Sequence, residues 1–133
     1  MIKELVHDET LLSRPCAAAT AQDAGVAQDL LDTLVSIDSA ACLAANQIGV
    51  EKAIVAYLDE KENPQVMYNP KLLLGLGAFK TRDEVSVVTR YQRIKVAYDE
   101  MVDGALVPRK KDLTDWTAQI VQHMIDHCKG KLV

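Results

Sequence analysis

The segment Gln122-His123-Met124-Ile125-Asp126-His127 carries two histidines four residues apart. On a helix that spacing puts both imidazoles on one face, where they can reach a single metal ion. In hydrolases of the H-E-x-x-H kind, the residue after the first histidine is a glutamate that works on metal-activated water. Here that residue is Met124, which can neither accept nor donate the proton. The chain therefore has the frame of a metallohydrolase with its general base missing. The bland alternative for the pair is two partly buried histidines bonded to backbone groups. Asp126 falls on a different helical face and is expected to act as an acceptor behind the site rather than as a ligand.

A second stretch with chemical content is Leu43-Ala44-Ala45-Asn46-Gln47. Small residues permit close backbone approach, and an amide such as Gln47 can donate to a developing oxyanion. Taken alone, the run reads as tight packing ahead of a turn.

The elements that must position these residues follow from periodicity and punctuation. Residues 1–22 read as irregular, with Arg14-Pro15 breaking any helix. Asp23 is placed to cap a helix running to about Ile37, with Val26, Leu30, Leu31, Leu34 and Ile37 forming an apolar stripe. Strands are expected over 52–58 and 65–68, the latter ended by Asn69-Pro70, with short strands at 72–74 and 84–88. Residues 93–99 alternate, with Ile94, Val96 and Tyr98 on one face and Lys95 and Asp99 on the other. The Asp103-Gly104 turn then leads to a partner strand over 105–110. The last helix spans 114–129 and closes at Gly130, with Trp116, Ile120, His123 and His127 on one face. Strands in the middle with one helix early and one late favour an α+β fold over a parallel α/β sheet.

Composition narrows the function classes. At 133 residues the chain is expected to be a single domain. A net charge of −4 gives no electrostatic reason for a nucleic-acid partner or an anionic membrane. The one basic cluster, Arg109-Lys110-Lys111, is balanced by Asp112 and Asp115 and reads as a solvated turn. No apolar run approaches the ~18 residues of a membrane span, and the N-terminal residues lack a signal-peptide pattern, so a cytoplasmic location is expected. Cys16, Cys42 and Cys128 are an odd number without C-x-x-C spacing, and they read as reduced, mostly buried thiols.

Read together, these segments resemble the peptide deformylase family, which removes the N-formyl group from new polypeptides. The family motif G-x-G-x-A-A-x-Q is similar to Ala40-Ala41-Cys42-Leu43-Ala44-Ala45-Asn46-Gln47, with both glycines replaced by small residues. Q-H-E-x-D-H is similar to Gln122–His127 except at Met124. The flanks Met67-Tyr68-Asn69-Pro70, Arg90–Val96, Thr117–Ile120 and Cys128-Lys129-Gly130 resemble the short Gram-positive or clostridial branch. The resemblance implies one deformylase-like domain over 1–133, with small antiparallel sheets packed around a C-terminal helix carrying the two histidines.

The resemblance also implies a site. His123 and His127 correspond to metal ligands, Gln47 to the oxyanion donor and Met124 to the general-base glutamate. The ion would be divalent iron, nickel or zinc if the site is still occupied, and the partners would be formylated or methionine-starting peptide N-termini. The family's E-G-C-L-S motif, whose cysteine is the third ligand, falls on Arg82-Asp83-Glu84-Val85-Ser86-Val87-Val88. Depending on the anchor, Val85 or Ser86 takes the cysteine position, so no thiolate is present. Asp83 or Glu84 could supply an oxygen ligand instead. Two expectations follow: a catalytically impaired or inactive paralogue, or a deformylase or related amide hydrolase rearranged around Asp83 or Glu84.

Overall fold

Five antiparallel strands form one sheet in sequence order, β1 (Cys42–Ala44), β2 (Ile54–Leu58), β3 (Pro64–Arg82), β4 (Val87–Val102) and β5 (Ala105–Thr114). This is a computed structural model that describes residues 1–133. Three helices accompany the sheet: α1 (Glu9–Leu12), α2 (Ala24–Ser36) and α3 (Asp115–Cys128). No helix is long and apolar enough to cross a membrane.

Strand alternation divides the core between the two long helices. In β2, Val55 and Tyr57 join Ile94, Val96, Leu113, Val121 and Met124 in the cluster beneath α3. Their neighbours Ile54 and Ala56 join Leu30, Leu34, Leu43 and Tyr68 in the cluster beneath α2. The sheet thus lies between α2 and α3, and β1–β2 is buried on both faces.

Several expected boundaries change, each for a physical reason. Asn69-Pro70 does not end a strand: β3 passes through it as a bulge, pairing Tyr68 with Asp99 and then Lys71 with Ala97. Asn69 takes a left-handed φ of 53°, and its side chain accepts from the Ala19 N–H and donates to Ala19 O and Asp99. A proline, lacking a ladder donor, is tolerated at such a bulge. The expected strand at 72–74 is part of β3, but of the one expected at 84–88 only Val87 and Val88 are strand, at the start of β4. Between β3 and β4, Asp83–Ser86 form a turn, closed by the Asp83 N–H bonding Ser86 O at 2.8 Å.

At the other end of β4, Asp103 and Gly104 both have positive φ (50° and 81°), as a two-residue hairpin turn requires. β5 continues beyond residue 110 to Thr114, so Arg109-Lys110-Lys111 lies along a strand rather than in a turn, with Arg109 paired to Glu100. Residues 1–22 are not wholly irregular, because Asp8 caps the single turn of α1. Asp23 does not cap α2 with its side chain. Its carboxylate accepts from the Thr20 N–H, completing a capping box on the 3-10 turn Ala21–Asp23. At the end of α3 the chain reverses at Gly130, φ 76°, where a Cβ would lie 2.7 Å from Ser13 O.

A candidate metal centre at the junction of the hairpin and the last helix

Helix α3 packs against β4 through a side chain that matches a backbone. Gln122 is buried; its Oε1 accepts from the Tyr91 N–H at 2.9 Å, and its Nε2 donates to Tyr91 O at 2.8 Å and Ala118 O at 3.0 Å. This clamp fixes the rotation of α3 relative to the sheet and so aims the next residue, His123. Trp116, expected on the same face as the histidines, remains exposed at the mouth of the site.

His123 and His127 do meet. Their Nε2 atoms lie 3.0 Å apart with the rings edge to face. The Nδ1 of His123 is 2.9 Å from Asp83 Oδ2. A carboxylate there can only accept, so Nδ1 carries the proton and the Nε2 lone pair faces His127. Asp83 Oδ2 also accepts from Arg90 at 2.7 Å, and Asp83 Oδ1 accepts from the Glu84 N–H at 2.9 Å. Partial burial opposes ionisation of Asp83, but the hydrogen bonds from His123, Arg90 and the Glu84 backbone outweigh it and hold the carboxyl below its ordinary value.

Of the two acidic residues weighed as a third ligand, the geometry separates their roles. Asp83 is committed to His123 and Arg90. Glu84 Oε1 lies 3.8 Å from His123 Nε2, and one ligand atom each from Glu84, His123 and His127 falls within a 4.8 Å group. Val85, which is exposed, and Ser86 complete the turn and bring no thiolate to it.

The donor set fits a divalent ion. Two imidazole nitrogens each about 2.0–2.1 Å from a common ion lie roughly 3 Å apart. A buried His127 Nδ1 has no protein partner. Burial foremost, then the neighbouring His123, pushes the His127 pKa down to about 4, with Asp83 and Asp126 opposing. His127 is thus neutral at ordinary pH, the form that ligates metals. Because the folded value lies below the ordinary 6.5, the unfolded chain takes up this proton first. In metal-free protein, stability present above pH 6.5 should therefore be lost as pH falls toward 4, by about 3 kcal/mol. Urea midpoints measured against pH should show this slope, and His127→Gln should flatten it.

The cleft beside this group has a volume of about 570 Å³ and is lined by Ser39–Cys42, Arg82–Glu84, Trp116, Gln119, Ile120 and His123. Cys42 is half-buried there, and burial, with Glu84 and Asp83 adding to it, raises its thiol to about 12. It stands as a neutral thiol and lies outside the ligand group.

Gln47 sits in the 3-10 turn Ala45–Ile48, where its Oε1 accepts from the Ala44 N–H at 2.8 Å. That bond orients the amide and leaves its NH₂ as the free end, although Gln47 is not among the residues lining the cleft. Met124 is fully buried in the apolar cluster beneath α3.

Two residues that sequence reasoning did not single out are central. Arg90 is buried and bridges Asp83 and Asp126, each at 2.7 Å. Asn46 donates to His127 O at 3.0 Å, tying the 3-10 turn to the helix. The sequence places Asp83 and Asp126 at or behind the site, but nothing in local spacing links Arg90 to either, and only the fold brings the three together.

Comparison with known proteins gives the same picture. The chain matches the model for polypeptide deformylase over residues 3–133. It is 33% identical to a peptide deformylase of Clostridium beijerinckii over the full length of both chains. It is also 36% identical to peptide deformylase 2 of Vibrio cholerae, with 78% of this chain matched to 66% of that one. Among solved structures, a peptide deformylase from Legionella pneumophila superposes with a TM-score of 0.84 at 22% identity, covering 99% of this chain and 83% of that one. The Thermotoga maritima peptide deformylase gives 0.82 at 20% identity, covering 99% and 95%. These two likenesses establish the fold. The family match along nearly the whole chain, with an end-to-end relative, establishes the lineage: this chain belongs to the peptide deformylase family.

Proposed function

We propose that this protein keeps the metal centre and peptide cleft of a deformylase but has lost most of the hydrolytic power, making it an impaired or inactive paralogue. One observation carries the reading. The His123 and His127 Nε2 atoms and a Glu84 carboxylate oxygen converge, while Met124, between the histidines in sequence, is buried and cannot titrate. An iron, nickel or zinc ion held by these three side chains would supply Lewis-acid polarisation of a formyl carbonyl and acidify a water.

The chain's own residues have distinct parts in this reading. Asp83 fixes the tautomer of His123, and Arg90 holds Asp83 in place. Gln47 would be the oxyanion donor, its NH₂ being the end of the amide left free by the Ala44 bond. The cleft receives a formylated or methionine-starting peptide N-terminus in the cytoplasm. Losing a general base costs ~10²- to 10⁴-fold in rate, and a thioether offers no substitute. Glu84 cannot fully repair the loss, because a carboxylate engaged as third ligand is withdrawn from proton transfer.

A second reading, an active hydrolase with Glu84 as base, draws on that side chain's exposure of 71% beside His123. Equilibrium dialysis separates the two. The first predicts about one divalent ion per chain for the native protein, sharply weakened binding in Glu84→Gln and none in His123→Ala. Undiminished binding in Glu84→Gln, with turnover lost, would favour the second.

A further inference from the structure

Resting on that His/Glu/His reading, we infer that Val133 is a positioning residue for metal binding: it pins the turn that carries Glu84. The Glu84 side chain is mostly exposed, and its carboxylate has no hydrogen-bond partner. Its position therefore depends on its backbone. Two of the turn's bonds are internal, Asp83 N–H to Ser86 O and Glu84 N–H to Asp83 Oδ1.

Only two ties connect the turn to the rest of the protein through hydrogen bonds. On one side of Glu84, the Asp83 carboxylate is held by Arg90 and His123. On the other, the Val85 N–H donates to Val133 O at 2.6 Å. Glu84 is suspended between these ties.

The second tie is built from the helix that carries the histidines. After the reversal at Gly130, the Lys131 N–H bonds Asp126 O at 3.0 Å, and Val133 is buried, 5% exposed. The turn is thereby held in register with His123 and His127. Burial of the Val133 side chain keeps its main-chain oxygen in place, so releasing it frees Glu84 to leave the group. Because the coupling is reciprocal, an ion bound by Glu84 must in turn steady the Val85–Val133 bond.

Cobalt(II) titration followed by its visible absorption tests this, using the native protein, Val133→Asp, Val133→Ile and Glu84→Gln. The inference predicts that Val133→Asp weakens Co²⁺ affinity ~10- to 100-fold, the usual cost of losing support behind a ligand. The conservative Val133→Ile should bind like the native protein. Native affinity in Val133→Asp beside weakened Glu84→Gln would overturn the inference alone. Native affinity in Glu84→Gln would overturn the ligand reading beneath it.

Should Val133→Asp fail to fold, hydrogen exchange on the native protein decides. Added Co²⁺ should slow exchange of the Val85 amide, and an unchanged rate would contradict the proposal.

Discussion

Met124→Glu is expected to destabilise the protein by about 3 kcal/mol or more, and to return no substantial deformylase turnover. The substitution looks like a simple restoration, because it recreates the family motif. Yet Met124 is only 1% exposed and packs among Ala44, Val55, Met67, Val96 and Val121. A glutamate there must either remain protonated or bury a charge, and either costs several kcal/mol without a partner. A carboxyl held neutral cannot serve as a general base. Met124→Leu, which preserves volume and polarity, should cost less than about 1.5 kcal/mol. Thermal unfolding of the three proteins, paired with formate release, checks both parts of the prediction.

Arg90→Ala should be comparably severe, with a loss of about 3 kcal/mol. The Arg90 guanidinium is buried and pairs with Asp83 and Asp126, whose carboxylates are themselves largely covered. Removing it leaves two neighbouring acids without their shared cation. The damage reaches the site, because Asp83 also fixes His123. Metal affinity should therefore fall together with stability. Arg90→Lys cannot span both carboxylates with a planar fork and should recover only part of either. Urea denaturation gives the stability change, and a native-like midpoint for Arg90→Ala would show that the bridge contributes little.

These two results depend on features of unequal visibility in the sequence. The spacing of His123 and His127 and the closing Gly130 mark α3 directly, since both follow from helix geometry. Asp103-Gly104 likewise announces its hairpin. What local patterns missed is how far β3 runs: Asn69-Pro70 has the chemistry of a strand end, but Ala19 and Asp99 satisfy Asn69 and convert the stop into a bulge. The bulged hairpin brings residues 83–86 to α3.

That longer-range placement also separates Asp83 from Glu84, adjacent residues that no spacing rule could assign to different tasks. The Arg90 bridge is invisible for the same reason, joining positions 7 and 36 residues away. Met124 was legible as a missing base. Its burial, on which the expected failure of simple reversion rests, was not.

The central claim is that a deformylase metal centre persists here without the proton transfer that drives turnover. Its most direct test is the rate of formate release from a formyl-methionyl peptide by protein carrying one measured equivalent of iron, nickel or zinc. The account predicts a rate at least ~10²-fold below that of a family member with the glutamate, measured side by side with the same metal. Equal rates would contradict it, placing an effective base elsewhere in the cleft.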